Sequence, residues 1–114
     1  MDFVNIAITG GRDYQDEDHV WEVLDEAREM YGDFVLHVGD ATGADEFARN
    51  WATFRNNDLK IYYAEWDKYG RAAGPIRNRE IVKHADMLYA FPGGRGTKDC
   101  TNAAIEAGIG LKRV

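Results

Sequence analysis

The stretch Met87-Leu88-Tyr89-Ala90-Phe91-Pro92-Gly93-Gly94-Arg95-Gly96-Thr97 decides the fold. Its first five residues are apolar or aromatic and read as a buried strand, stopped by Pro92-Gly93-Gly94. A helix follows from about Lys98 to Ala107. It carries Cys100, Ala103, Ala104 and Ala107 at helical spacing, with Gly108 as its C-cap.

The same strand–glycine–helix unit recurs outward from this stretch. Phe3-Val4-Asn5-Ile6-Ala7-Ile8-Thr9 reads as a strand ending at Gly10-Gly11. Asp16 is a helix N-cap, and Val20, Val23, Leu24, Ala27 and Met30 follow helical spacing, with Glu and Asp on the other face, before Gly32 closes the helix. Phe34-Val35-Leu36-His37-Val38 is a second strand, stopped at Gly39. Gly39-Asp40-Ala41-Thr42-Gly43-Ala44-Asp45 feeds a helix with Ala44, Phe47, Ala48, Trp51 and Ala52 inside. Thr42 and Asp45 have the spacing of a capping box. Leu59 to Ala64 is a third strand, Glu65 to Gly74 reads as loop, and Pro75 opens a helix running to about Ala85. Leu111 to Val114 is a last short strand. Strands alternating with helices predict an α/β fold: a Rossmann-like three-layer sandwich with a mostly parallel central sheet. At 114 residues the expectation is one domain spanning 1–114.

The formal charge of −6 argues against non-specific nucleic-acid binding, which needs Lys and Arg to neutralise phosphates. Against that background Arg71, Arg77, Arg79 and Arg95, near the glycine-bearing segments, point to a local basic pocket. Apolar runs are only strand-sized, so no membrane span is expected. No basic-then-apolar segment opens the chain, and a single cysteine excludes an intrachain disulfide framework. The expected setting is cytoplasmic. His19, His37 and His84 lack ligand spacing, so neither a metal nor a cofactor is expected.

In an open parallel sheet, ligands sit beyond the carboxyl ends of the strands, where these loops fall. Pro92, Gly93, Gly94, Arg95, Gly96 and Thr97 make a phosphate cradle or, on the plainer reading, a tight turn without a ligand. Neither Gly-x-Gly-x-x-Gly nor a Walker A loop is complete here. In the first loop, Gly10 and Gly11 precede Arg12, which reaches a phosphate or stays solvated. In the second, Gly39, Asp40, Thr42 and Gly43 lead to Asp45, which binds a ribose hydroxyl or completes the helix start. Arg77 and Arg79 are two apart, so at most one points into a pocket. Glu80, with Arg77, is the candidate acid or base; the alternative for Glu80 is a surface or ion-pair residue. Trp66 and Tyr69 stack on a base or pack as a lid or subunit contact. Trp21 and Trp51 are read as core or dimer-contact residues, and Cys100 as core.

Four segments taken together resemble the SLOG superfamily: Gly10-Gly11-Arg12-Asp13, Gly39 to Asp45, Ala73-Gly74-Pro75-Ile76-Arg77-Asn78-Arg79-Glu80, and Ala90 to Thr97. This Rossmann-like group includes the LOG phosphoribohydrolases and the DNA-processing protein DprA. Within it, the chain is similar to small stand-alone bacterial and phage proteins related to YspA and YpsA. The resemblance implies a nucleotide-type ligand, such as an ADP-ribose-like or cyclic nucleotide, and a homo-oligomer. LOG enzymes carry Pro-Gly-Gly-x-Gly-Thr-x-x-Glu, the Glu serving N-glycosidic cleavage. Here that position is Cys100. The expected function is therefore binding, as a sensor or sequestering protein. A LOG-like nucleoside-monophosphate phosphoribohydrolase, or another nucleotide hydrolase using Glu80 or Asp99, is the alternative. A DprA-like DNA-associated role is a second alternative, against which the acidic balance counts.

Overall fold

In the computed structural model, which describes residues 3–114, the apolar runs pair as parallel strands. β1 (Val4–Thr9) lies at the centre, between β2 (Phe34–Gly39) and β4 (Met87–Ala90). β3 (Leu59–Tyr62) and β5 (Gly110–Arg113) are the edges, giving the order β3-β2-β1-β4-β5. Ile6 stands opposite Leu36 on one side and Met87 on the other. The chain steps outward from β1 to β3, then returns to place β4 beside β1. With crossovers of one hand, that reversal puts helices on both faces. The result is a Rossmann-like three-layer sandwich.

α1 (Glu17–Tyr31) and α2 (Ala44–Phe54) cover one face. Alternate residues of β1 point each way. Ile6 and Ile8 meet Val20, Leu24, Ala48 and Trp51 on this side. Trp51 is fully buried and stacks on Phe34 at 5.8 Å, with its Nε1 donating to Asp25 at 2.8 Å. The opposite face is covered by α4 (Ala73–Lys83) and α5 (Arg95–Ala107), where Ala7 and Leu88 pack with Ile81, Val82, Cys100 and Ala104. Also buried is His37, held between the Tyr62 hydroxyl and Asn5 Oδ1, each at 2.8 Å. Burial, with Lys60 and His84 nearby, pulls its pKa down from 6.5 to about 4.

The caps follow the expected chemistry at most ends. Asp16 accepts from the His19 N–H at 3.0 Å, and Gly108 ends α5 in the left-handed region. Two local expectations are corrected. Thr42 does not cap α2: Gly43 is the N-cap, and the Thr42 hydroxyl donates instead to Arg12 O at 3.1 Å. Competition from the neighbouring loop captures that hydroxyl. Nor is Glu65 to Gly74 wholly loop. It holds the short helix α3 (Trp66–Tyr69), a 3-10 turn (Gly70–Ala72) and the start of α4. Neither α3 nor the turn buries a residue, so no apolar stripe marked them. Among the described residues, no helix is long and apolar enough to cross a membrane.

Candidate functional site

The strand order reverses between β1 and β4, and a cavity of about 850 Å³ opens beyond their carboxyl ends. That is where an open α/β sheet binds ligands, and the size suits a nucleotide-sized molecule.

Three loops lock together around it. The first accepts and donates in turn: Gly11 N donates to Pro92 O at 2.8 Å, and Gly11 O accepts from Ala44 N at 3.2 Å. The contacts leave no room for side chains. A Cβ on Gly43 would strike Gly11 O and Arg12 O, and this residue has φ +72°. A Cβ on Gly93 would fall on Thr97 Oγ1 and lie 2.6 Å from Gly11 N. These glycines therefore serve loop-to-loop packing. Gly94 and Gly96 differ, since a Cβ on either would meet nothing within 4 Å.

The start of α5 is electrostatically bare. Gly94 caps it without a side-chain hydrogen bond, and its first turn carries no acidic residue. Thr97 Oγ1 is buried there and lacks a hydrogen-bond partner among the described residues. Unpaired N–H groups and the positive dipole end favour an anion at such a terminus. Arg12, Arg71 and Arg95 are exposed on the cavity lining, and none makes an ion pair among the described residues. The Arg12 guanidinium lies 5.7 Å from the Trp66 ring centre, and Trp66 packs against Gly74.

The β2 end is built differently. Arg77 is largely buried and bonds Asp40 at 2.6 Å. Arg49 is tied to Gly39 O and Ala41 O, both at 2.8 Å. Asp45 is 6% exposed and lines the cavity. Its Oδ2 accepts one long bond from Ala41 N–H at 3.3 Å. Burial drives its pKa up from 3.8 to about 6, against the pull of Arg77, the Ala41 N–H and Arg49. Cys100, below it, has its thiol pushed up to about 11, chiefly by burial.

The cavity gathers Gly10, Gly11, Arg12, Gly39, Asp45, Trp66, Arg77 and the whole of Pro92 to Thr97. Asp40, Thr42 and Gly43 are not part of this lining; Asp40 holds Arg77, the Thr42 hydroxyl holds Arg12 O, and Gly43 packs on Gly11. Arg79 turns away, half-exposed, and pairs with Asp99 at 3.3 Å. Glu80 is exposed and does not line the cavity. Tyr69 also lies outside the lining. Sequence reasoning missed Asn78, which is buried and donates to Gly96 O at 3.3 Å and Asp99 Oδ2 at 3.0 Å. It thus ties α4 to the first turn of α5. Gly74, Asn78, Ile81 and Val82 share the inner face of α4, a spacing that could have revealed it. Among the described residues, no group of three or more His, Cys, Asp or Glu could hold a metal ion.

A family model described as the YspA, cpYpsA-related SLOG family matches residues 4–69. The Gene 61 protein of Mycobacterium phage D29 is 40% identical, over 91% of this chain and 90% of its own length. No solved structure matches the chain. The family match ends within α3, whereas the phage relative covers most of the chain, so the two likenesses are complementary in extent.

Proposed function

The chain belongs to the YspA, cpYpsA-related SLOG family, and from that premise we propose that it binds a phosphate-bearing nucleotide or nucleotide-derived signal, acting as a sensor or sequestering protein. One observation carries the reading. The uncapped start of α5 opens into a cavity lined by three arginines that have no ion-pair partner among the described residues, and the unpartnered Thr97 Oγ1 is buried just beneath it. In a chain of net charge −6, such a set of donors selects an anion locally. The phosphate sits on the α5 N–H groups with Arg95, and Trp66 offers a face to the base. Calorimetry against nucleoside phosphates, ADP-ribose and cyclic dinucleotides tests this. Binding that drops about tenfold in Arg95→Ala is expected. Absence of binding across the panel refutes it.

A second reading, nucleotide hydrolysis, is favoured by the carboxylates of Asp45 and Asp99 on the cavity wall. Glu80, exposed beyond the lining, is poorly sited for that role. Release of free base from nucleoside monophosphates, lost in Asp99→Asn but kept in Glu80→Gln, supports this reading. Purified protein that binds without turnover removes it.

A further inference from the structure

Resting on the nucleotide reading above, we propose that Asp45 selects ligands with a free ribose diol, so that the site takes ribonucleotide-type molecules and discriminates against deoxyribonucleotide and ribose-cyclised forms.

The carboxylate is almost wholly buried, yet it has no ion-pair partner among the described residues and a single long protein hydrogen bond, to Oδ2. Its Oδ1 has no protein donor among the described residues, and the residue lines the cavity. The obvious cation, Arg77, is committed to Asp40, and Arg49 to two backbone carbonyls. Oδ1 is not sealed off, since Thr97 Oγ1 alone is a buried side-chain polar atom without a partner among the described residues, so Oδ1 takes its donors from whatever fills the cavity. The groups that act electrostatically on Asp45 are Asp40 and the Ala41 N–H beside β2, Arg49 on α2 and Arg77 on α4, and Asp45 acts in turn on Cys100 of α5.

The chemistry of the missing donor follows from charge. A phosphate is repelled by Asp45 and is drawn instead to the start of α5. A cationic group is disfavoured by the cavity arginines Arg12, Arg71, Arg77 and Arg95. Neutral donors remain, in a nucleotide the sugar hydroxyls and the base N–H groups, and the ribose diol is the pair that every ribonucleotide shares whatever its base. Two adjacent hydroxyls match two carboxylate oxygens, and losing one leaves an acceptor unpaired, a charge-assisted bond forgone.

The test titrates AMP against deoxy-AMP and cyclic AMP, and ADP-ribose against deoxy-ADP-ribose, with wild type and Asp45→Asn. The wild type is expected to prefer the diol-bearing member of each pair by about tenfold or more. Asp45→Asn is expected to reduce that ratio to about threefold or less while still binding the deoxy form. Equal binding of both members by wild type, which needs no variant to fold, overturns the role of Asp45 and leaves nucleotide binding standing. A preference that survives in Asp45→Asn does the same. If no member of either pair binds, the selection by Asp45 falls, and the nucleotide reading falls with it only if the wider panel of nucleoside phosphates and cyclic dinucleotides also fails to bind.

Discussion

The loop after β2 and the loop after β4 have the same outline, a strand that stops at glycine and turns into a helix. Their electrostatics are opposite. The β2 loop leads into a helix whose first turn holds Asp45 and Glu46, and its cations are consumed internally by Asp40 and backbone carbonyls. The β4 loop leads into a helix with no acid in its first turn, no side-chain cap and a buried hydroxyl without a partner among the described residues. Glycines divide within the β4 loop itself. Gly43 and Gly93 are pressed against neighbouring backbone or side chain, while Gly94 and Gly96 face open space. A glycine-rich loop is thus not one kind of object: one part braces its neighbours, and another leaves a helix start uncapped and open.

The sharpest way to break this contrast is a pair of alanines. Gly43→Ala introduces a Cβ into Gly11 O and Arg12 O at a positive φ, and is expected to cost about 3 kcal/mol or more. Gly96→Ala, in open space on a helix, is expected to stabilise by about 0.5 kcal/mol. Urea unfolding of both decides it. Equal effects would dissolve the division into bracing and open glycines.

Next in size is Asp45→Asn. The folded chain protonates Asp45 at about pH 6, against 3.8 for an ordinary carboxyl. Between those values the folded state holds the extra proton, so Asp45 makes stability rise as pH falls. His37 acts oppositely. Its pKa is lowered from 6.5 to about 4, so the unfolded chain takes the proton first and stability drops on acidification. Asp45→Asn leaves His37 unopposed. The variant should gain about 1–2 kcal/mol near neutral pH and lose stability more steeply in acid. Parallel pH profiles for the two proteins would contradict a costly buried charge at Asp45.

A fourth substitution makes the β4 loop imitate the β2 loop. Gly96→Glu places an acid in the first turn of α5. Helix stability is expected to hold or rise by about 0.5 kcal/mol, while nucleotide affinity falls by about tenfold. Thermal melts and calorimetry should move in opposite directions, and binding that survives intact would move the phosphate elsewhere. The smallest effect is Thr97→Val. Removing an unpartnered hydroxyl is expected to change stability by less than about 1 kcal/mol but to weaken phosphate binding severalfold. Unaltered affinity would mean the hydroxyl faces no ligand.

Much of the frame was legible because it depends on local pattern. Short apolar runs marked the strands, three of them stopped by glycine, and Asp16, Gly32 and Gly108 marked helix ends by cap chemistry. The separation of Arg77 from Arg79 followed from helix geometry alone, and the two do diverge, one to Asp40 and the other to Asp99. Trp66–Ala72 was illegible as helix because nothing in it is buried. The Thr42 cap failed because a neighbouring loop offered its hydroxyl another acceptor. Asn78 was passed over as one polar residue between arginines, though it joins α4 to the start of α5.

By itself, then, the sequence determined a parallel α/β sheet, its glycine-bearing loops and their order, since each follows from residue type and short spacing. Only the tertiary structure decided which glycines are open, which arginines lack ion-pair partners among the described residues, and that Asp45 rather than Glu80 faces the cavity. Those properties depend on what residues far apart in the chain do to one another when β1 and β4 become neighbours. Ion pairing and steric clearance are set by that meeting, and no local spacing encodes them.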